Sequence, residues 1–390
     1  MRSATLVPMS LLLLVPPAAG QATPDSASLV TRLGADTLVV ERFVRGAHRI
    51  DAEVVMRVPR TTRTRYVLEL SPAGELARLE ALTTEPGRAL LVRREAVTRV
   101  ADSLRVEVVD TGPPRVRMVA ADRRVLPFID MVHWPFELAL MRLRASGAPR
   151  TLQPLLSGSR VADFELVAVG PDSVTITHPT RGTMRVLVDA AGRLGVLDAG
   201  ATTRKLLVER RPWMSLDSFA ARWAAADAAG ASVGALSGRA AVTSTVAGAT
   251  ITIDHGTPSK RGREVWGLLV PFGQVWRSGA NQATHFTTDR DLVFGTGASA
   301  LAVPAGAYTL FSIPERAGGL LIINRQTGQT GTAYDASRDL GRVPLEVRPL
   351  GDAVEVFSIV VTPDGDGGAL RLQWDRTELV ARFTVAAQGE

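Results

Sequence analysis

The sequence predicts a mainly β protein in two halves. The N-terminal half is a curved antiparallel sheet or half-open barrel holding one helix; the C-terminal half is a β-sandwich or jelly-roll-like domain. Three observations carry that reading. Apolar and polar residues alternate with a period near two, at hairpin spacing, over 36–208 and again over 250–385. Helical spacing occurs in two stretches, 134–145 and 215–227. Between the halves, 228–238 is rich in Gly, Ala and Ser, as linkers are. With 390 residues and a hydrophobic fraction of 46%, the chain can fill two cores.

Taken in order, residues 1–22 read as a secretory signal peptide: Arg2, an apolar run over 6–15, and small residues at 18–22. That run is shorter than the ~20 residues of a membrane-spanning helix. The expectation is an exported protein, periplasmic or extracellular, with no transmembrane helix after cleavage. A polar linker over 23–28 leads into a first domain spanning 25–210. Strands are expected at 37–43, 50–58, 65–70 and 75–82, the last two flanking a Pro72–Gly74 turn. They continue at 89–99, 104–109 and 115–119. A helix near 134–146 has Pro135 in its first turn, good helix formers after it, and Gly147 as a stop. Strands resume at 163–169, 173–178, 183–188, 194–197 and 205–208. The boundary, 211–239, holds a short helix with Leu216, Phe219 and Trp223 on one face, then the linker. The second domain, 240–388, shows a clean alternation at 250–255 and eight further strands.

Cysteine is absent, which excludes disulfides, thiolate metal sites, cysteine nucleophiles and lipidation through an N-terminal cysteine. The formal net charge of +6 is unevenly placed: residues 240–390 hold 13 Lys+Arg against 15 Asp+Glu, the remainder 32 against 24. An excess of this kind admits envelope lipid or polymer as a partner. However, the basic residues alternate with apolar ones, the pattern of a solvated strand face. Export argues against nucleic acid.

One stretch, 255–281, is denser in special residues than any other: two of six Trp, three Arg, one of two Lys and five Gly. Residues 258–263 and 266–284 within or beside it, together with 303–314, 321–324 and 370–374, carry a resemblance. On these, the second half resembles the bacterial family known as protein of unknown function 2911, over about 240–385. The resemblance implies an exported, β-rich protein, and the family name carries no activity. Where the family has a Val-Pro-Tyr-Gly-like segment this chain has Phe272, so no phenol acts there.

The available chemistry gathers in the same stretch. His255 ends a strand whose apolar face carries Ile251 and Ile253. It is either a hydrogen-bonded core residue or a rim residue acting as general acid/base, oriented by Asp335. In the loop 260–263, Gly262 lets backbone N–H groups converge on an anion, and Arg277 precedes a tight turn ending in Asn281. If the two loops meet, Lys260, Arg263 and Arg277 converge on a carboxylate, phosphate or sulfate. Otherwise the arginines salt-bridge Glu264, Asp289 or Asp335 and only fix the loops. Trp266 and Trp276 form a sugar-stacking platform or a cap over the core, and capping is the commoner use of Trp. Asn281, Asn324 and Tyr334 line a polar pocket or pin loops.

No His-Glu-x-x-His, Gly-x-Ser-x-Gly, phosphate-cradling or dinucleotide motif occurs. His255 and His285 with Asp289 or Asp291 would be a metal set that the spacing does not demand, so no metal or cofactor is expected. The Asp-Gly run at 364–368 reads as a hairpin turn, not a calcium loop. The first functional reading is therefore an envelope-associated, non-catalytic binding module for a small anionic or sugar-like ligand. The alternatives are a hydrolase or isomerase using His255, and a structural motif beside an N-terminal domain that carries lipid or polymer.

Overall fold

The computed structural model describes residues 25–87 and 90–386; the signal-peptide expectation over 1–22 lies outside them. Among the described residues no helix is long and apolar enough to cross a membrane. The N-terminal half is a single fifteen-stranded sheet. An antiparallel meander comprises β1 (Asp25–Leu33), β2 (Asp36–Arg45), β3 (Arg49–Met56), β4 (Thr62–Leu70), β5 (Leu76–Glu85), β6 (Leu90–Val100), β7 (Ser103–Val109) and β8 (Arg115–Ala120). A second run comprises β9 (Leu126–Pro127), β10 (Arg150–Ser157), β11 (Arg160–Ala168), β12 (Ser173–His178), β13 (Gly182–Val188), β14 (Leu194–Asp198) and β15 (Leu207–Arg211). The runs join where β1 pairs with β15, so the sheet order is β8 to β1, then β15 to β9. Its two ends do not meet, and no barrel closes.

The sheet curves around α1 (Trp134–Ser146), whose Trp134, Phe136, Ala139, Leu140 and Leu143 share one core with residues from nearly every strand. Burying each large apolar side chain contributes about 1.5–3 kcal/mol, which fixes this helix on the concave side. The first turn of α1 has no cap from its own His133 side chain. Instead Glu41 on β2 accepts the backbone N–H groups of His133 (2.9 Å) and Trp134 (3.0 Å). A carboxylate there answers the unpaired donors and the positive end of the helix dipole. Gly147 closes the other end in the left-handed region, with φ 65°. A second helix, α2 (Asp217–Ala228), lies on the opposite face, where Leu216, Ala220 and Trp223 cover Val30, Val40 and Val55.

Strands β1 and β10 are among those that differ from expectation. Residues 25–28 are not a linker but the start of β1, with Ser28 buried and its hydroxyl accepting the Met214 N–H at 2.9 Å. The polar run Asp-Ser-Ala-Ser hid the strand that holds the two meanders together. Strand β10 contains Pro154, a residue that weakens any strand reading, and lies next to the short edge strand β9.

The C-terminal half packs two sheets face to face around one core. Its strands are β16 (Ser237–Val246), β17 (Ala249–Pro258), β18 (Thr284–Thr288), β19 (Leu292–Phe294), β20 (Leu301–Val303), β21 (Gly306–Glu315), β22 (Gly318–Asn324), β23 (Asp339–Pro344), β24 (Glu346–Asp364) and β25 (Gly367–Val385). One sheet orders them β16-β17-β18-β21-β22-β23, the other β20-β19-β25-β24. Four separately expected strands merge into β24 and β25, which bend at register shifts near Val354 instead of breaking. Asp364 pairs with Gly367 across the hairpin turn between them.

The halves touch at the β1–β2 turn. Gly34 has φ 60°, and a Cβ there would lie 2.1 Å from the Arg261 carbonyl oxygen. That closeness lets Ala35 N–H donate to the same oxygen at 3.1 Å, while the Arg261 guanidinium pairs with Asp36 at 2.7 Å.

Candidate functional site: a cationic cleft between the two halves

A cavity of about 1050 Å³ opens between the rim of the N-terminal sheet and the sandwich. The sandwich side is built by the loop after β17. Gly256 lies so close to that loop that a Cβ would sit 2.1 Å from the Ala280 carbonyl oxygen. The loop is pinned by paired backbone bonds between Trp276 and Ser312 (2.7 and 2.8 Å), by Ser278 Oγ donating to Ser312 Oγ (3.0 Å), and by Thr284 Oγ1 donating to the Ser278 carbonyl (2.7 Å). Ser278 and Asn281 take left-handed φ values of 46° and 63° to make the turn. So held, the loop turns Arg277 and Asn281 into the cleft.

The floor is aromatic. Trp276 stacks on Trp374 (6.0 Å, 16°), meets Trp266 edge to face (5.8 Å, 87°) and packs on Phe357. The Trp266 indole donates to the Trp374 carbonyl at 3.1 Å. Aromatic neighbours on several sides make Trp276 a cap over the core whose remaining surface faces the cleft.

The N-terminal wall is a turn between β14 and β15. Thr202 Oγ1 accepts the Arg204 N–H at 3.1 Å and donates to the Ala199 carbonyl at 2.8 Å. Ala199 N–H closes the turn on the Leu206 carbonyl at 2.8 Å. Lys205 is thereby held at φ 57°, a conformation that costs an ordinary residue about 1–2 kcal/mol. Beside it, Arg181 pairs with Asp130 at 2.6 Å, and Arg204 pairs with the same carboxylate.

Five cations therefore line the cleft against the single carboxylate of Asp130. Asp130 engages Arg181 and Arg204, which leaves Lys205, Arg263 and Arg277. Neither Lys205 nor Arg277 makes a side-chain hydrogen bond or ion pair among the described residues. Among the described residues, Arg263 donates only to the backbone carbonyls of Lys260 (2.8 Å) and Ser259 (2.6 Å). Burial pushes the Lys205 ammonium below its ordinary value, and the like charges of Arg263 and Arg277 push it further. Burial also lowers Arg277, and burial together with the like charge of Arg261 lowers Arg263 against the opposing pull of the Glu355 and Asp36 carboxylates. An accumulation of half-buried like charges is electrostatically unfavourable.

Of the residues singled out from sequence, Arg263, Trp276, Arg277, Asn281 and Tyr334 line this cleft. The Tyr334 hydroxyl is engaged, donating to Asp339 at 2.7 Å and accepting from Arg342 at 3.1 Å. Lys260 does not join the arginines: its ammonium pairs with Asp375. The converging ammonium is Lys205, from the other half of the chain. Asn324 is fully buried, with its amide donating to the Asp335 carbonyl and to Asp339, both at 2.9 Å, and its Oδ1 accepting from Gln326. It pins a loop.

His255 and Asp335 do not form a pair. Both His255 ring nitrogens are buried without a hydrogen-bond partner among the described residues, against Phe357 at 5.7 Å. Burial pushes this imidazole below its ordinary value. The Asp335 carboxylate instead accepts from Ser337 N–H (2.9 Å) and Oγ (2.6 Å). The expected salt bridges of Arg263 and Arg277 to Glu264, Asp289 or Asp335 are not made either. Asp289 accepts the Thr250 N–H at 2.7 Å. His285 meets Thr309 Oγ1 at 3.2 Å.

Sequence reading missed Lys205, Arg181, Arg204 and Asp130. The available signal was that Lys205 is one of only two lysines, standing in a Thr-Thr-Arg-Lys run between strands.

Fold and cleft together define a mainly β protein with a cation-lined space between its two halves. Residues 237–383 match the family model described as "Protein of unknown function (DUF2911)", which spans the sandwich. Among solved structures, the chain is similar to a beta-barrel-like protein of domain of unknown function DUF1849 from Brucella abortus. That likeness has 13% identity and a TM-score of 0.34, and covers 48% of this chain and 96% of the other. No curated protein matches.

Proposed function

We propose that this chain is an exported, non-catalytic binding protein whose interdomain cleft takes a small anionic ligand. The observation that carries the reading is the set of Lys205, Arg263 and Arg277, which share one cleft and have no carboxylate bound to them among the described residues. Planar guanidiniums suit the paired oxygens of carboxylate, phosphate or sulfate, and a point-charge ammonium completes such a set. An anion is favoured over a neutral sugar because Trp276 is committed to Trp374, Trp266 and Phe357. Export rests on Arg2 and the apolar run over 6–15.

Isothermal titration of the full chain with phosphate, sulfate, oxalate and glucose tests the reading. At least one anion binds with a salt-sensitive affinity, glucose does not, and Arg277→Met removes the heat of binding. An anion at a hundred times its Kd also stabilises the fold by about 2.7 kcal/mol. Equal, absent or Arg277-independent responses to all four compounds refute it.

A further inference from the structure

The cleft cations are not chemically alike. Guanidiniums stay protonated and unreactive, whereas a lysine amine becomes a nucleophile once its proton is lost. Desolvation and neighbouring cations favour that loss. Lys205 has both: it is half-buried, its ammonium has no partner among the described residues, and its charged neighbours across the cleft are Arg263 and Arg277. Its turn holds it at φ 57° through the Thr202 bonds, so the side chain starts from a fixed point. The other lysine, Lys260, lies in an ion pair with Asp375 and lines no part of the cavity.

We propose that Lys205 is a covalent capture site for small carbonyl acids, with the ligand carboxylate on Arg263 and Arg277 and the ligand carbonyl condensed onto the lysine as an imine. This rests on the anion-binding reading and names its ligand class: aldehyde or 2-oxo acids. The neutral Lys205 amine adds its lone pair to the carbonyl carbon. The carbon–oxygen π pair moves to oxygen, and a proton passes from nitrogen to that oxygen. The carbinolamine nitrogen pair then forms the C=N bond as the carbon–oxygen bond breaks, and the nitrogen's remaining proton passes to the departing hydroxyl, which leaves as water. Amine plus carbonyl gives imine plus water, with no oxidant or reductant required. Cationic walls favour both the docked carboxylate and the oxyanion formed during addition.

The test is reductive trapping on the full chain. The protein is incubated with glyoxylate or pyruvate and cyanoborohydride near neutral pH, then read by intact mass and peptide mapping. One adduct per chain is expected, at Lys205, and excess oxalate suppresses it. Lys205→Arg and Lys205→Gln abolish it; Lys260→Arg keeps it. A circular-dichroism spectrum and melting curve for each variant separate loss of the amine from loss of fold. If oxalate or phosphate binds in titration but no adduct forms, or adducts spread evenly over Lys205, Lys260 and the chain terminus, capture is overturned while anion binding stands. If neither anion binds and no adduct forms, both proposals fall.

Discussion

Two charged regions of this molecule are built on opposite rules. At the start of α1, the buried Glu137 carboxylate meets Arg45 (3.1 Å) and Arg210, and accepts the Leu194 N–H at 3.2 Å; Asp25 completes the cluster through Arg45 and Arg210. Each charge there has an opposite partner, and helix, β1, β2 and β15 are tied by it. In the cleft, Lys205, Arg263 and Arg277 make no ion pair with a carboxylate among the described residues. Paired charge ties the fold together; in the proposed reading, the unpaired charge of the cleft is a cost that a bound anion offsets.

The contrast can be broken in order of expected effect. Glu137→Ala leaves Arg45 and Arg210 half-buried without their main partner and should cost about 3–5 kcal/mol in urea unfolding. A loss under 1 kcal/mol would place the cluster among weak surface pairs. Gly256→Ala drives a methyl into the Ala280 carbonyl and should cost about 1–3 kcal/mol while displacing the loop that carries Arg277. Anion affinity should fall with it, and an unchanged affinity would detach the loop from the site.

His255 tests a different kind of imbalance. Its buried ring nitrogens lack partners, so His255→Leu should be neutral or stabilising by up to about 1–3 kcal/mol. Its folded pKa is lowered, so the folded state binds fewer protons than the unfolded one below the usual histidine value of about 6.5. Stability is therefore lost as pH falls through that value, and His255→Leu should flatten part of this limb. His178, pushed by burial down to about 4, adds to the same limb and stays in the variant. A steeper acid limb in His255→Leu would contradict this assignment.

Much of the fold was legible because one wet face gives strands a period of two, as at Ile251, Ile253 and His255, all buried, with Asp254 outward on Arg239. It failed where composition opposed the tertiary role: β1 opens on Asp-Ser-Ala-Ser, and β10 carries Pro154. The cleft was half legible. Arg263 and Arg277 come from neighbouring loops of one dense stretch, but Lys205 reaches them from the other half of the chain, and no local pattern encodes so distant a contact. Lys260 was misplaced by long sequence separation within one half: its partner Asp375 lies 115 residues away.

The most direct measurement is the unfolding free energy of the wild type and of Arg277→Met, each with and without saturating phosphate or oxalate. Without anion, removal of an unpaired cation should leave stability within about 0.5 kcal/mol of the wild type or raise it. With anion, the wild type should gain and the variant should not. A variant destabilised by several kcal/mol without anion, with an undiminished response to it, would mean that Arg277 holds the fold and the cleft is not the anion site.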